Sequence, residues 1–306
     1  MKKYFILRWT SINTIITVTS LYVFFSASLL ASEINENISV SSSQFNSILL
    51  TTGFDYSSGF YGLKNSTDML YVPFVFKYRQ QAWDFAITFS YIKMTGPGGV
   101  IGGGDGGVIP VNGNRSNSLL ASDSTNIRAG HGNGNGNKPT TKNITTHEGV
   151  GDTLFKVGYA LDTVLDIPFL FELASQIKIP LADEKKELGT GKMDWSVSVD
   201  LADNWGLSSP FINLGYKFMG QPEELDFNNV YFASFGLDYI FLPYLHGGII
   251  YDYQEKIISD GFNISESTFY LNWTLNKTFS INSYIVSGFS PASPDWASGL
   301  QISILF

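Results

Sequence analysis

Apolar and polar positions alternate with a period of two in one segment of this chain after another. Each segment is about ten to thirteen residues long, the length a tilted strand needs to cross a bilayer. Ile48, Leu50, Thr52, Phe54 and Tyr56 share a face in the first segment. Leu70, Val72, Phe74, Phe76 and Tyr78 do so in the second, and Trp83, Phe85, Ile87, Phe89 and Tyr91 in the third. After a long interruption come Phe155, Val157, Tyr159 and Leu161, then Phe171, Leu173, Ile177 and Ile179, then Trp195, Val197, Val199 and Leu201. The rhythm continues from Ile212 to Phe218, Tyr231 to Tyr239, Leu245 to Tyr253, Phe269 to Leu275 and near Phe279 to Phe289. The last segment, Asp295 to Phe306, sets Trp296, Leu300, Ile302, Ile304 and Phe306 on one face and Gly299, Gln301 and Ser303 on the other. That makes about twelve segments, and a single-chain bacterial barrel has an even number of strands.

The faces opposite the apolar ones carry Gly, Ser, Thr, Asn and isolated charges such as Asp55, Lys77, Glu172, Lys178, Asp200, Lys217, Asp238 and Asp252. A soluble sandwich permits the same alternation, so two further features decide. Aromatic residues stand near strand ends, among them Tyr56, Tyr78, Trp83, Tyr91, Trp195, Tyr239, Tyr253, Trp273 and Trp296, as interfacial girdles require. The connections also alternate in length. Short turns fall at Gln80-Gln81, Leu161 to Pro168, Asp203 to Ser209, Leu242-Pro243 and Asn276-Lys277, with longer loops between them. The expected fold is all-β, an antiparallel transmembrane barrel of about twelve strands of the outer-membrane type.

The N-terminus agrees with export. Lys2, Lys3 and Arg8 precede an apolar stretch from about Ile12 to Leu30, with Ala31 and Ser32 after it, which reads as a secretory signal peptide over residues 1–31. Its removal takes away three basic residues and no acid, moving the formal charge from -8 to -11. So acidic a chain disfavours nucleic acid as a partner. There is no cysteine, hence no disulfide framework. Charged residues make up only 15% of the chain, against roughly 25% in soluble proteins, and aromatic residues 15%. Residues 32–45 form a short polar segment expected in the periplasm, and the barrel is expected over 46–306. A terminus frays unless something ties it down. A last strand ending on Phe306, with Ile304 and Ile302 on the same face, therefore reads as the signal that the barrel assembly machinery of a Gram-negative outer membrane would recognise.

Catalytic, cofactor and metal motifs are weak here. Gly189-Thr190-Gly191-Lys192 resembles the end of a phosphate loop, but Met193 stands where Ser or Thr is needed. His131 and His147 fall in the Gly- and Asn-rich stretch 96–149, and His246 falls on the lumen face of a strand, where a lipase histidine would be out of place. We therefore expect no enzyme and no cofactor. The glycine-rich stretch is either a mobile surface loop or a loop folded into the lumen as a constriction. Small inward residues, including Gly53, Ala86, Gly158, Gly215, Gly236 and Gly248, are expected to leave the lumen partly open. Lys77, Lys156, Lys178 and Lys217 could pair across it with Glu172, Asp200, Asp238 and Asp252. These eight are the candidate selectivity residues, with a purely wall-shaping role as the alternative.

Several segments taken together resemble a known family. They are Gly96-Pro97-Gly98-Gly99, Gly149-Val150-Gly151-Asp152-Thr153-Leu154, Lys178-Ile179-Pro180, Leu188 to Trp195, Leu214 to Gly220 and Ser293-Pro294-Asp295-Trp296. In this order they resemble the outer-membrane barrels assigned to a meta-pathway of phenol degradation, a family that includes the FapF-type channel for functional-amyloid subunits. The resemblance implies an outer-membrane transporter or channel of about twelve strands. Members like the amyloid exporter carry a coiled-coil region and a plug helix ahead of the barrel, and residues 32–45 show no heptads, which weighs against amyloid export. The leading expectation is a porin-like channel for small solutes, with hydrophobic or aromatic ones as the candidates. A secretion channel for a small exported polypeptide and a plugged structural surface barrel are the alternatives. Outer-membrane lipid, the assembly machinery and the solute or peptide are the partners expected, with no nucleic acid.

Overall fold

A computed structural model of the chain describes residues 46–111, 144–223 and 225–306. The signal segment, residues 32–45, most of the glycine-rich stretch and His131 lie outside these. The described chain is almost entirely strand, in the order β1 (Asn46–Gly59), β2 (Thr67–Gln80), β3 (Trp83–Gly96), β4 (Val100–Gly102), β5 (Val108–Pro110), β6 (Thr145–Val150), β7 (Thr153–Ala160), β8 (Leu170–Ile179), β9 (Asp194–Ala202), β10 (Ser208–Phe218), β11 (Val230–Leu242), β12 (Leu245–Gln254), β13 (Ile264–Thr274), β14 (Phe279–Gly288) and β15 (Trp296–Leu305). One short helix, α1 (Asp162–Leu165), sits in a turn, and a single 3-10 turn spans Glu184–Lys186.

Leaving aside β4 and β5, which form a two-stranded sheet of their own, neighbouring staves pair antiparallel around the wall, and β1 closes the sheet on β15, from Leu49 opposite Leu305 to Ser58 opposite Trp296. The result is a closed antiparallel barrel of twelve staves, as the alternation predicts. β6 and β7 share one stave: β3 pairs with β6 over Tyr91 to Gly96 and with β7 over Trp83 to Thr88. The break between them is Gly151-Asp152, where the Gly151 amide donates to the Ser90 carbonyl at 2.9 Å. A side chain at Gly151 would run into Ser90 and Ile92, so only glycine lets the stave jog there. The fourth stave begins at Thr145, earlier than its apolar pattern suggests, because Thr145 to Val150 has no large outward residue until Val150. His147 therefore belongs to the wall and not to a loop.

The outward parity of the strands is apolar around the whole circumference. Phe54, Phe74, Phe89, Phe235, Phe269 and Ile285 are each about half exposed or more. A water-soluble protein does not present so continuous an apolar belt, whereas a lipid-facing barrel must. Aromatic pairs rim the belt at both ends. Trp83 packs on Tyr159 and Tyr239 on Phe241 at the end with the short turns. Tyr56 packs on Trp296, Trp195 on Phe218 and Tyr216 on Tyr231 at the end with the long loops.

Inside, the small residues do not leave the open space their size suggests. Phe232 lies against Gly215, Phe211 against Gly236, Tyr270 against Gly248 and Tyr284 against Gly299, each ring across from the glycine on the adjacent strand. The glycines accommodate rings, and most inward side chains are shielded from water. The upper lumen is filled by the first part of the glycine-rich stretch, which folds inward as the β4–β5 hairpin, with Ile101 opposite Ile109. Its two faces pack on opposite walls. Val100 and Val108 join Tyr71, Ile92, Met94 and Leu188. Ile101, Ile109 and Val111 join Met219, Phe227, Val230 and Ile257. Each such Val or Ile side chain contributes roughly 1.5–3 kcal/mol by its burial.

The terminal strand is tied by its backbone. The Phe306 amide donates to the Ile48 carbonyl at 2.8 Å and the Ile48 amide donates to the Phe306 carbonyl at 3.1 Å, while the Phe306 ring is 67% exposed and points outward. Because those bonds do not involve the ring, Phe306→Ala is expected to leave the finished barrel intact but to lower the amount assembled in the outer membrane. The ratio of fast to slow bands on unheated and heated denaturing gels measures this. An unchanged yield of the folded band would remove Phe306 as an assembly signal.

Candidate functional site

The inward parity of the strands sorts the polar side chains into the lumen, where low dielectric makes partners matter. All eight expected charges point there, and their pairing differs in part from expectation. Lys156 Nζ does lie 3.8 Å from Asp200 Oδ2, and Asn213 Nδ2 donates to Asp200 Oδ1 at 2.6 Å. Glu172 stands directly across from Asp200 on the neighbouring strand. Lys77, however, pairs with Asp84 at 3.5 Å, and Arg79 reaches the same carboxylate oxygen at 3.4 Å. Asp84 stands across from Arg79 in the β2–β3 ladder. Its position next to Trp83 at a strand start hid it among turn residues.

Lys178 forms the tightest knot. Its ammonium lies 2.7 Å from Asp194 Oδ2 and 3.5 Å from Asp152 Oδ2, and donates to Thr190 Oγ1 at 2.8 Å. All four side chains are buried. The two carboxylates are themselves tied to backbone: Asp152 Oδ1 accepts from the Ala182 amide at 3.0 Å and Asp194 Oδ1 from the Gly220 amide at 2.9 Å. Four separate stretches of sequence therefore meet in this cluster: Gly149 to Leu154, Lys178 to Pro180, Leu188 to Trp195 and, through the Gly220 amide on Asp194, Leu214 to Gly220. The Gly189 to Lys192 run is part of this knot. It bends the 180–193 connection inward, so that Leu188 is fully buried and the Glu187 carbonyl accepts from the Gly102 amide of the hairpin at 2.9 Å.

The hairpin is anchored at its tip as well. Lys217 Nζ donates to Asp105 Oδ2 at 3.3 Å, deep in the lumen. The tip can turn so tightly because Gly104 and Gly106 take φ of 90° and 93°. Nothing in the periodicity could have marked Asp105, which sits in a run of glycines. At the short-turn end, His246 Nδ1 lies 2.9 Å from Asp238 Oδ1, and the Tyr270 hydroxyl donates to the same oxygen at 2.7 Å. Among the described residues His246 Nε2 is buried with no hydrogen-bond partner. Asp252 accepts from Ser234 Oγ at 2.5 Å.

No family model matches the sequence, and no curated protein matches it. Among solved structures, the COG4313 outer membrane channel from Pseudomonas putida F1 superposes with a TM-score of 0.56 over 88% of this chain and 100% of its own, at 9% identity. The fold is that of an outer-membrane channel barrel. Two others superpose less closely: the monoaromatic hydrocarbon channel CymD, with a TM-score of 0.37 at 9% identity over 85% of this chain and 87% of its own, and the toluene transporter TodX from Pseudomonas putida, with 0.38 at 11% over 97% and 98%.

The knot at Lys178 predicts a large, local energetic effect. Removing one member of a buried ion cluster strands the others, at a cost of about 3–5 kcal/mol. Lys178→Met should therefore destabilise the folded barrel by that amount in urea titrations. By contrast Lys93→Met, which breaks the exposed Lys93–Glu148 pair, should cost less than about 1 kcal/mol. Equal effects would show that Lys178 does not organise the loops.

Proposed function

We propose that this chain is an outer-membrane channel for small, apolar or aromatic solutes, exported to the surface of a Gram-negative cell and held closed by the β4–β5 hairpin. On this reading the signal peptide is removed, the terminal strand engages the assembly machinery, and the long loops face outside. The observation that carries the reading is the way the lumen is obstructed. Besides the cluster that Phe211, Ile250, Tyr270 and Tyr284 form from the strands themselves, the obstruction is an inserted segment, attached to the wall by apolar packing and by the ion pair between Asp105 and Lys217. A twelve-stave barrel has a wider bore than the eight-stranded kind that side chains fill unaided. Moving one hairpin would then open a passage lined by the buried charges Lys77, Lys156, Glu172, Asp200 and Asp252, which would select among solutes.

A plugged surface barrel is the competing reading, and it is favoured by the same filling of the lumen. Conductance in planar bilayers separates the two. Deleting Gly98 to Lys142 should raise single-channel conductance well above that of the wild type. Lys217→Ala, which frees the hairpin tip, should raise the fraction of time spent open without changing the size of the open step. Absence of conductance in all three proteins would refute the channel and leave the plugged barrel.

A further inference from the structure

The carboxyl groups of β1, β12 and β13 differ from the other lumen charges. Asp252 and Glu266 are partners in the β12–β13 register, so two acidic side chains stand directly opposite one another on adjacent strands, both buried. Like charges in that position repel, the more so where water is excluded. Glu172 and Asp200 repeat the arrangement on the other wall, but there Lys156 intervenes. Among the described residues no ion pair includes Asp55, Asp252 or Glu266. Asp55 accepts from the Tyr284 hydroxyl and from Gln301 Nε2. Among the described residues Glu266 Oε1 is buried with no hydrogen-bond partner, and the nearby Ser293 hydroxyl donates instead to the Ser265 carbonyl at 3.1 Å. A stranded carboxylate oxygen of this kind carries its full desolvation cost.

Glu266 and Asp55 open onto a cavity of about 50 Å³ beneath the hairpin turn, whose other walls include Tyr61, Met69, Val108 and Tyr284. A second cavity of about 50 Å³ shares Tyr61 and Val108 with the first and leads past Ile258 and Phe262 at the long-loop end. The floor is acidic and the walls are apolar and aromatic. A divalent metal would want six or more oxygen ligands, and these walls offer carbon instead. An ammonium group fits both halves: its N–H groups supply the donor that Glu266 Oε1 lacks, the tyrosine rings favour a cation, and an apolar body covers Met69 and Val108.

We propose that this pocket binds a small organic ammonium ion with an aromatic or aliphatic body. The assignment narrows the solute class of the channel reading and rests on that reading only for passage onward, since binding can be measured alone. Benzylammonium and its neutral counterpart benzyl alcohol are titrated calorimetrically into the whole folded chain in detergent micelles at low salt, and into Glu266→Gln. Benzylammonium should bind the wild type at least about tenfold more tightly than it binds Glu266→Gln, and at least about tenfold more tightly than the alcohol binds the wild type. Equal affinity for amine and alcohol, unchanged amine binding in Glu266→Gln, or no amine binding at about 10 mM would each overturn the site. The amine–alcohol comparison uses wild-type protein alone, so it holds even if the variant fails to fold. Bilayer conductance on the same samples keeps the two ideas apart. A barrel that conducts without binding the amine refutes this pocket and not the channel, and one that binds without conducting does the reverse.

Discussion

In hydrocarbon an unpaired backbone N–H or C=O costs several kcal/mol, so the pairing of β1 with β15 is the constraint on which everything else in this molecule depends. Closure removes both sheet edges and leaves each strand with one face in lipid and one in the lumen. The parity of every side chain follows from it. So does the tying of the C-terminus, whose backbone completes the ladder beside Ile48 while the Phe306 ring stays outside.

Closure also creates a bore that must be filled or hydrated. This chain fills it by two means. Rings of Phe211, Phe232, Tyr270 and Tyr284 lie over glycines of the adjacent strand, and three of them share one buried cluster with Leu170, Ala202 and Ile250. The β4–β5 hairpin then spans what remains, because its alternating Val and Ile residues give it two apolar faces that suit two facing walls. A glycine-rich stretch that reads as unable to repay its ordering entropy does so here over its first part, through the five buried residues Val100, Ile101, Val108, Ile109 and Val111 and one aspartate.

The buried charges hold this insert in place. Lys178 gathers Asp152 from one stretch and Thr190 and Asp194 from another, and the loop thereby bent inward grips the hairpin backbone through the Glu187 carbonyl. Removing that ammonium would leave two acids without a counter-charge, so the loops, the insert and the wall are energetically one unit. The charge is also uneven around the bore. Lysines of β2, β7, β8 and β10 neutralise Asp84, Asp200, Asp152, Asp194 and Asp105, whereas Asp55 and Asp252 have hydroxyl or amide partners and Glu266 Oε1 has none among the described residues.

Twelve strands, the lipid-facing parity, the aromatic rims and the alternation of short and long connections were all legible along the chain. The reason is that each is local: a strand's face repeats every two residues, and a turn's length is counted directly. That parity also put all eight candidate charges in the lumen and brought Lys156 near Asp200. It did not assign Asp84 to Lys77, Asp152 and Asp194 to Lys178, or Asp105 to Lys217. Those partners depend on the stagger between strands and on how far a loop turns inward, and neither quantity is written in any one segment. Glu266 escaped notice because it stands among serines at the edge of a loop, before the apolar rhythm of β13 begins. The sequence by itself determined that the chain closes a barrel in lipid. Only the tertiary structure decided that the barrel is filled, and which acids remain without a cation, because filling and neutralisation are properties of groups that meet across the bore.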